Sequence, residues 1–212
     1  IDLNRSGLDV YRITPLFIAG LLGKKRRIVP TRWAITAVDD SVSTVQKRAV
    51  ARFSPLQEIR LHYSELFGNR IAVILLPGDW RYEMIERWEP RSLWAGETAT
   101  VIRDGETMKK TGYSPITGAY YSARLAVTEH LFRSGRCARV IVIRNVDPTY
   151  WAPLGTWVVR EATRRAMAGS PLVVSSLTDA IQQAGSLAGF PDWIHHSALV
   201  PEICFQKTLS EF

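Results

Sequence analysis

Two runs of residues limit the folds open to this chain. Arg70 to Leu76 is a near-continuous apolar run, and ARVIVIRNV, from Ala138 to Val146, has the apolar centre VIVI. Both have strand length and read as buried strands. Between and after them the period changes. TGAYYSARLAVTEHLFRSG sets Tyr120, Ala123, Val127 and Leu131 at helical spacing and stops at Gly135. LGTWVVREATRRAMAG reads as a second helix ending at Gly169, PLVVSS as a short strand and LTDAIQQAG as a short helix. Glu58 to Leu66 alternates, with Ile59, Leu61 and Tyr63 on one side, and Arg81 to Trp88 is a further strand. Strands and helices alternate irregularly. The expected class is α/β (α+β): a single mixed-sheet domain with flanking helices, residues 1–200, followed by a peptide tail, residues 201–212.

The remaining segments carry local expectations. PLFIAGLLG, from Pro15 to Gly23, reads as a short helix with Pro at its start and Gly at its end. In IVPTRWAITAVDD, Trp33, Ile35 and Ala37 fall on one strand face, and Ala34, Thr36 and Val38 on the other. From Ser41 the spacing turns helical through Val42, Val45, Ala49, Val50 and Phe53, and Pro55 stops it. TATVIRDGETMK reads as a hairpin about Asp104-Gly105. Gly185 to Pro201 carries the chain towards its tail. With 212 residues, 46% of them apolar, the chain has enough material for a sizeable core. No run approaches the roughly 20 apolar residues of a membrane span. The chain begins at Ile1 and reads as a piece of a longer polypeptide. Its two cysteines, Cys137 and Cys204, suit a reducing cytosol and form no zinc-site spacing.

The net charge is +7, a balance that favours nucleic acid as partner. Lys24, Lys25, Arg26 and Arg27 are contiguous and Arg32 follows; such a run would grip a DNA backbone. Just beyond it stand Asp39 and Asp40. As a strand end, the pair could hold a divalent cation, Mg or Mn, and polarise a phosphodiester. As a helix start, the same acidic turn would serve as a cap. Lys109 and Lys110, ahead of a helix start, form a candidate phosphate cradle. Tyr150 and Trp151 follow a buried strand, where they would either stack on a base or close the core. No nucleophile elbow and no phosphate-binding loop of the nucleotide-hydrolase kind is present.

The last seven residues read QKTLSEF. In a single tight turn Leu209 and Phe212 would face one way, an apolar two-pronged plug with Gln206 as polar anchor beside it. This stretch resembles the sliding-clamp (PCNA) interacting peptide, and its place at a chain end would let it reach a partner. KKRRIVPTRWAITAVDD, Lys24 to Asp40, together with the preceding PLFIAGLLG, is similar to the signature of the archaeal Nre DNA-repair family. The resemblance covers most of the chain and matches the central and C-terminal parts of a longer family protein. It implies a cytoplasmic, nucleoid-associated DNA-repair role with DNA, the sliding clamp PCNA and other repair factors as partners. Zinc would belong to an N-terminal Cys-rich module that family members carry and this chain lacks. Two functions are expected: a metal-dependent nuclease or phosphodiesterase around Asp39 and Asp40, or a non-enzymatic adaptor linking PCNA to DNA.

Overall fold

The computed structural model describes residues 1–22, 26–152 and 154–210, the side chains of residues 206–210 excepted. Its strands are β1 (Ile59–Leu66), β2 (Asn69–Leu76), β3 (Arg81–Trp88), β4 (Thr100–Glu106), β5 (Arg139–Val146) and β6 (Leu172–Val174). Its helices are α1 (Asp2–Arg5), α2 (Val10–Ile18), α3 (Thr31–Val50), α4 (Gly118–Ser134), α5 (Thr156–Ala168), α6 (Leu177–Ala188) and α7 (Leu199–Ser210). The six strands make one mixed sheet in the order β4-β3-β5-β2-β1-β6.

The two apolar runs are neighbours at the centre of that sheet, β2 and β5, paired antiparallel. Their residues are almost all buried because both faces are covered. On one face Ile71, Val73, Leu75, Val140 and Val142 pack with Tyr120, Ala123 and Val127 of α4 and Val158 and Ala162 of α5. On the other, Ala72, Ile74, Ile141 and Ile143 meet Ala180, Ala184 and Ala188 of α6 and Val200 and Ile203 of α7. A third cluster joins Val38 and Val42 of α3 to Leu125 of α4 and to Val10 and Ile13 of α2. Helix α4 therefore lies between the sheet and α3, and a helix enclosed in this way is buried nearly all round.

Four local expectations are corrected. Trp33 to Val38 is helical, and α3 starts at Thr31 directly after Pro30, not at Ser41. Its buried positions, Ala34, Val38, Asp39, Val42, Ser43, Lys47 and Val50, follow a helical period. Three of them are polar, so the apolar pattern alone hides that period. Residues 100–106 form one continuous strand, with Gly105 opposite Glu83 and no turn at Asp104-Gly105. A Cβ at Gly105 would sit 3.1 Å from the Tyr82 carbonyl oxygen, so the glycine answers close strand packing. Helix α2 starts earlier than Pro15: Asp9 caps it by accepting from the Tyr11 N–H, and Pro15 lies inside. The segment from Gly185 to Pro201 is not a lead-out. It completes α6, forms a 3-10 turn at Trp193–His196 with Trp193 fully buried, and begins α7.

The tertiary fold also joins two histidines that stand far apart in sequence. His62 of β1 and His130 of α4 meet edge to face, ring centroids 5.3 Å apart. His62 donates from Nδ1 to the Ala166 carbonyl at the end of α5, and its buried Nε2 has no partner among the described residues. Burial, then His130 and Arg60, lower the His62 pKa to about 4, and burial with Arg133 and Arg60 lowers that of His130. The unfolded chain therefore binds more protons between pH 6.5 and 4, and stability falls as pH falls through that window. Urea midpoints should drop from pH 7 to pH 5 by an amount worth about 2 kcal/mol for His62 alone. A His62→Phe variant should flatten that dependence.

Candidate nucleic-acid interface

The strand directions gather functional groups at one end of the fold. Strands β3 and β5 are parallel, and β1 and β5 both run antiparallel to β2, so β1, β3 and β5 point the same way. Helix α4 feeds β5 through a short loop and α5 leaves it through another, so both helices begin at the carboxyl end of β5. That is where open α/β sheets bind ligands. Helix α3 starts beside them. A Cβ at Gly118 would lie 2.5 Å from Thr156 Cγ2 of α5 and 2.9 Å from Thr36 Oγ1 of α3. Only glycine lets the three helices meet there.

None of α3, α4 and α5 has a side-chain cap on its first turn. Two of them start from the same unusual backbone: Thr117 at φ 60, ψ −143 and Gly155 at φ 63, ψ −149. For Thr117, which is not glycine, that conformation costs about 1–3 kcal/mol. The first turns of all three helices border one cavity of about 560 Å³, lined by Thr31, Arg32, Trp33, Tyr113, Gly118 and Thr156 among others. A second cavity of about 460 Å³ shares Trp33, Thr36 and Tyr113 and adds Ala37, Asp40 and Tyr121. Trp33 is 61% exposed and Tyr113 is 63% exposed, although both are large aromatic rings.

The aromatic surface continues at the same end. Trp88, which closes β3, packs on Tyr150 and on Trp94, with centroids 6.2 and 6.4 Å away. Tyr150 is buried and its hydroxyl accepts from the Leu154 N–H, while the adjacent Trp151 is 83% exposed. The two readings of Tyr150-Trp151 thus divide between neighbours: one ring closes the core and the other faces solvent.

Arg26, Arg27 and Arg32 are exposed and form no ion pair among the described residues. Lys24 and Lys25 lie outside the described residues. Lys109 and Lys110 border a different cavity, with Arg81, Glu83, Arg103 and Glu202. There Lys110 pairs with Asp104 at 2.8 Å. The structure therefore groups Arg32 with Trp33 and Tyr113 and keeps the two lysines apart from them.

Asp39 and Asp40 sit side by side in the middle of α3 and point to different partners. Successive helical residues diverge by about 100° around the axis. Asp39 is fully buried, takes both of its oxygens to Arg160 Nη2 of α5 at 2.8 Å, and accepts from Ser122 of α4 at 2.6 Å. Burial pushes its carboxyl above the usual carboxylate range, against the pull of Arg160 and Ser122. Asp40 pairs with Arg124 of α4, which also donates to Glu106 of β4 at 2.7 Å and to Ser43. Glu106 in turn takes Lys47 at 2.7 Å. Three carboxylates thus face three cations, a neutral network that ties α3, α4, α5 and β4 together. Among the described residues no group of three or more His, Cys, Asp or Glu is placed to hold a metal ion. A cation at Asp39 would have to displace Arg160, so the residues present do not fit one.

Gln206, Leu209 and Phe212 lie outside the residues whose side chains are described. The backbone of α7 is helical through Ser210, and its anchors, Leu199, Val200 and Ile203, are buried ahead of the QKTLSEF stretch. Among the described residues no helix is long and apolar enough to cross a membrane.

Residues 1–95 match the archaeal Nre N-terminal model and residues 106–212 the archaeal Nre C-terminal model. The chain belongs to the archaeal Nre family. The first Nre model ends in the loop after β3 and the second begins at the last residue of β4, yet β5 from the second part pairs between β2 and β3 of the first. The two parts of this Nre chain therefore build one sheet. Among its relatives are the DNA repair protein NreA of Archaeoglobus fulgidus, 39% identical over 194 residues, and NreA of Haloferax volcanii, 40% identical over 188 residues. These matches cover 90% and 85% of this chain, and 50% and 44% of the relatives. The DNA repair protein NreB of Archaeoglobus fulgidus is 37% identical over 214 residues, 99% of this chain and 54% of the relative. The chain spans about half the length of the curated relatives it matches. No solved structure matches it.

The sequence pattern does not mark Trp33 and Tyr113 as site residues. The alternation around Trp33 suggests a strand face, and the loop KKTGYSPITG draws attention through its two lysines and not through Tyr113. The usable signal is Pro30, a residue suited to the start of a helix, which moves Trp33 into a first helical turn.

Proposed function

We propose that this Nre chain is the nucleic-acid-binding part of a DNA-repair protein, recruited to a sliding clamp through QKTLSEF. The observation that carries the reading is the pairing of exposed Trp33 and Tyr113 with Arg32 around shared cavities at the helix starts. Aromatic rings offer stacking platforms for unpaired bases, and arginines with free helical N–H groups attract phosphate. The exposed Arg26 and Arg27, without an ion pair among the described residues, extend the cationic surface towards α3. The relatives' name, DNA repair protein, agrees with this use.

The same geometry favours binding over metal-assisted cleavage. Asp39 and Asp40 both serve guanidinium groups and diverge on α3, so the adaptor reading accounts for them without a Mg or Mn ion.

The test is the salt dependence of single-strand binding. Replacing Arg26 and Arg27 by Ala should lower the slope of log affinity against log salt by about 0.7 for each phosphate no longer neutralised. An unchanged slope would place the nucleic acid on another face.

A further inference from the structure

The two cavities that meet at Trp33 and Tyr113 form one groove with opposite ends. At one end lie Arg32 and the first turns of α4 and α5, with Gly118 and Thr156 on its wall. At the other end lie Asp40 and Tyr121. Tyr113 and Tyr121 are 5.4 Å apart and tilted by 33°, so the aromatic wall continues from the middle of the groove to the Asp40 end. One end is cationic and donates N–H groups; the other carries a carboxylate.

Asp40 is available to a ligand there. Its Oδ1 takes Arg124 and Thr44, while Oδ2 takes no hydrogen bond among the described residues. Its side chain is 49% exposed. A carboxylate only accepts hydrogen bonds, so it favours a partner that donates and opposes one that presents an oxygen.

We propose that this groove holds one unpaired nucleotide whose base carries an exocyclic amino group. This inference rests on the nucleic-acid reading above and gives its site a chemical preference. The phosphate lies towards Arg32, the base stacks on Trp33 and Tyr113, and its amino group donates to Asp40 Oδ2. Cytosine and uracil test the idea, because at C4 one carries an amino group and the other an oxygen, with N3 an acceptor in cytosine and an N–H in uracil. A cation at one end and an acceptor at the other suit a cytidine nucleotide, whose C4 amino group donates, better than a uridine one, whose C4 oxygen would face the carboxylate.

The experiment compares fluorescent single-stranded oligo-dC and oligo-dU of about 12 nucleotides, a length within the span of such sites. Anisotropy at neutral pH and fixed salt gives both affinities for this chain. Oligo-dC should bind about tenfold more tightly than oligo-dU. Asp40→Asn keeps an oxygen for Arg124 but offers an amide donor to uracil, so the ratio should fall to unity or invert. Trp33→Ala and Tyr113→Ala should each weaken both oligomers by roughly 5- to 150-fold, the range for one lost stack. Melting curves check that each variant is folded. Equal binding of the two oligomers, or an unchanged ratio in Asp40→Asn, overturns the inference and leaves nucleic-acid binding standing. Failure of the chain to bind either oligomer overturns both.

Discussion

Asp39→Ala should unfold this chain at markedly lower denaturant, with a loss of about 3–5 kcal/mol, because it strands a buried guanidinium. Arg160 is almost fully buried and takes both oxygens of Asp39. Ser122 would lose its acceptor as well. Against a typical stability of about 5–15 kcal/mol, such a loss leaves little margin. Urea unfolding followed by circular dichroism measures it. The paired replacement Asp39→Leu with Arg160→Met should recover most of the loss, since removing both charges removes the penalty. A metal-site role makes the opposite prediction: Asp39→Ala would leave the fold intact and abolish cleavage of labelled DNA with Mg or Mn. A fully stable Asp39→Ala protein would therefore undo the structural assignment.

Leu209→Ala with Phe212→Ala should abolish binding to an archaeal sliding clamp and leave the melting temperature unchanged. Two apolar side chains in a clamp pocket would contribute roughly 3–6 kcal/mol gross. Ordering the peptide and losing translational freedom offset much of this, leaving about micromolar affinity. Removing both prongs then takes binding below detection in titration calorimetry. The fold should not respond, because Leu199, Val200 and Ile203 hold α7 in the second core before the motif begins. Unchanged clamp affinity would end the plug reading. Loss of folding would show that the two side chains belong to the core.

The legible parts of this protein are those whose environment is uniform. β2 and β5 are covered on both faces, so their centres, Ile71 to Leu76 and Val140 to Ile143, are continuously apolar and the strands stand out. Helix α5 shows one buried stripe and is plain in the sequence. The start of helix α3 is hidden for an equally physical reason. Its buried side carries Asp39, Ser43 and Lys47, each satisfied by a partner on another element. A polar residue in the sequence gives no sign that Arg160, 121 positions away, will neutralise it.

The site divides along the same line. Arg32 is found because charge clusters are visible in one dimension. Trp33 and Tyr113 are not, because exposure is a property of what fails to cover a ring. Amino-acid order alone determined the mixed α/β class, the central strands, the basic run and the QKTLSEF match, all of them local patterns. Only the tertiary structure decided that Asp39 and Asp40 serve different arginines and that three helix starts and two exposed rings share one groove. Those arrangements depend on residues distant in the chain meeting with one geometry, and local sequence does not encode the distances.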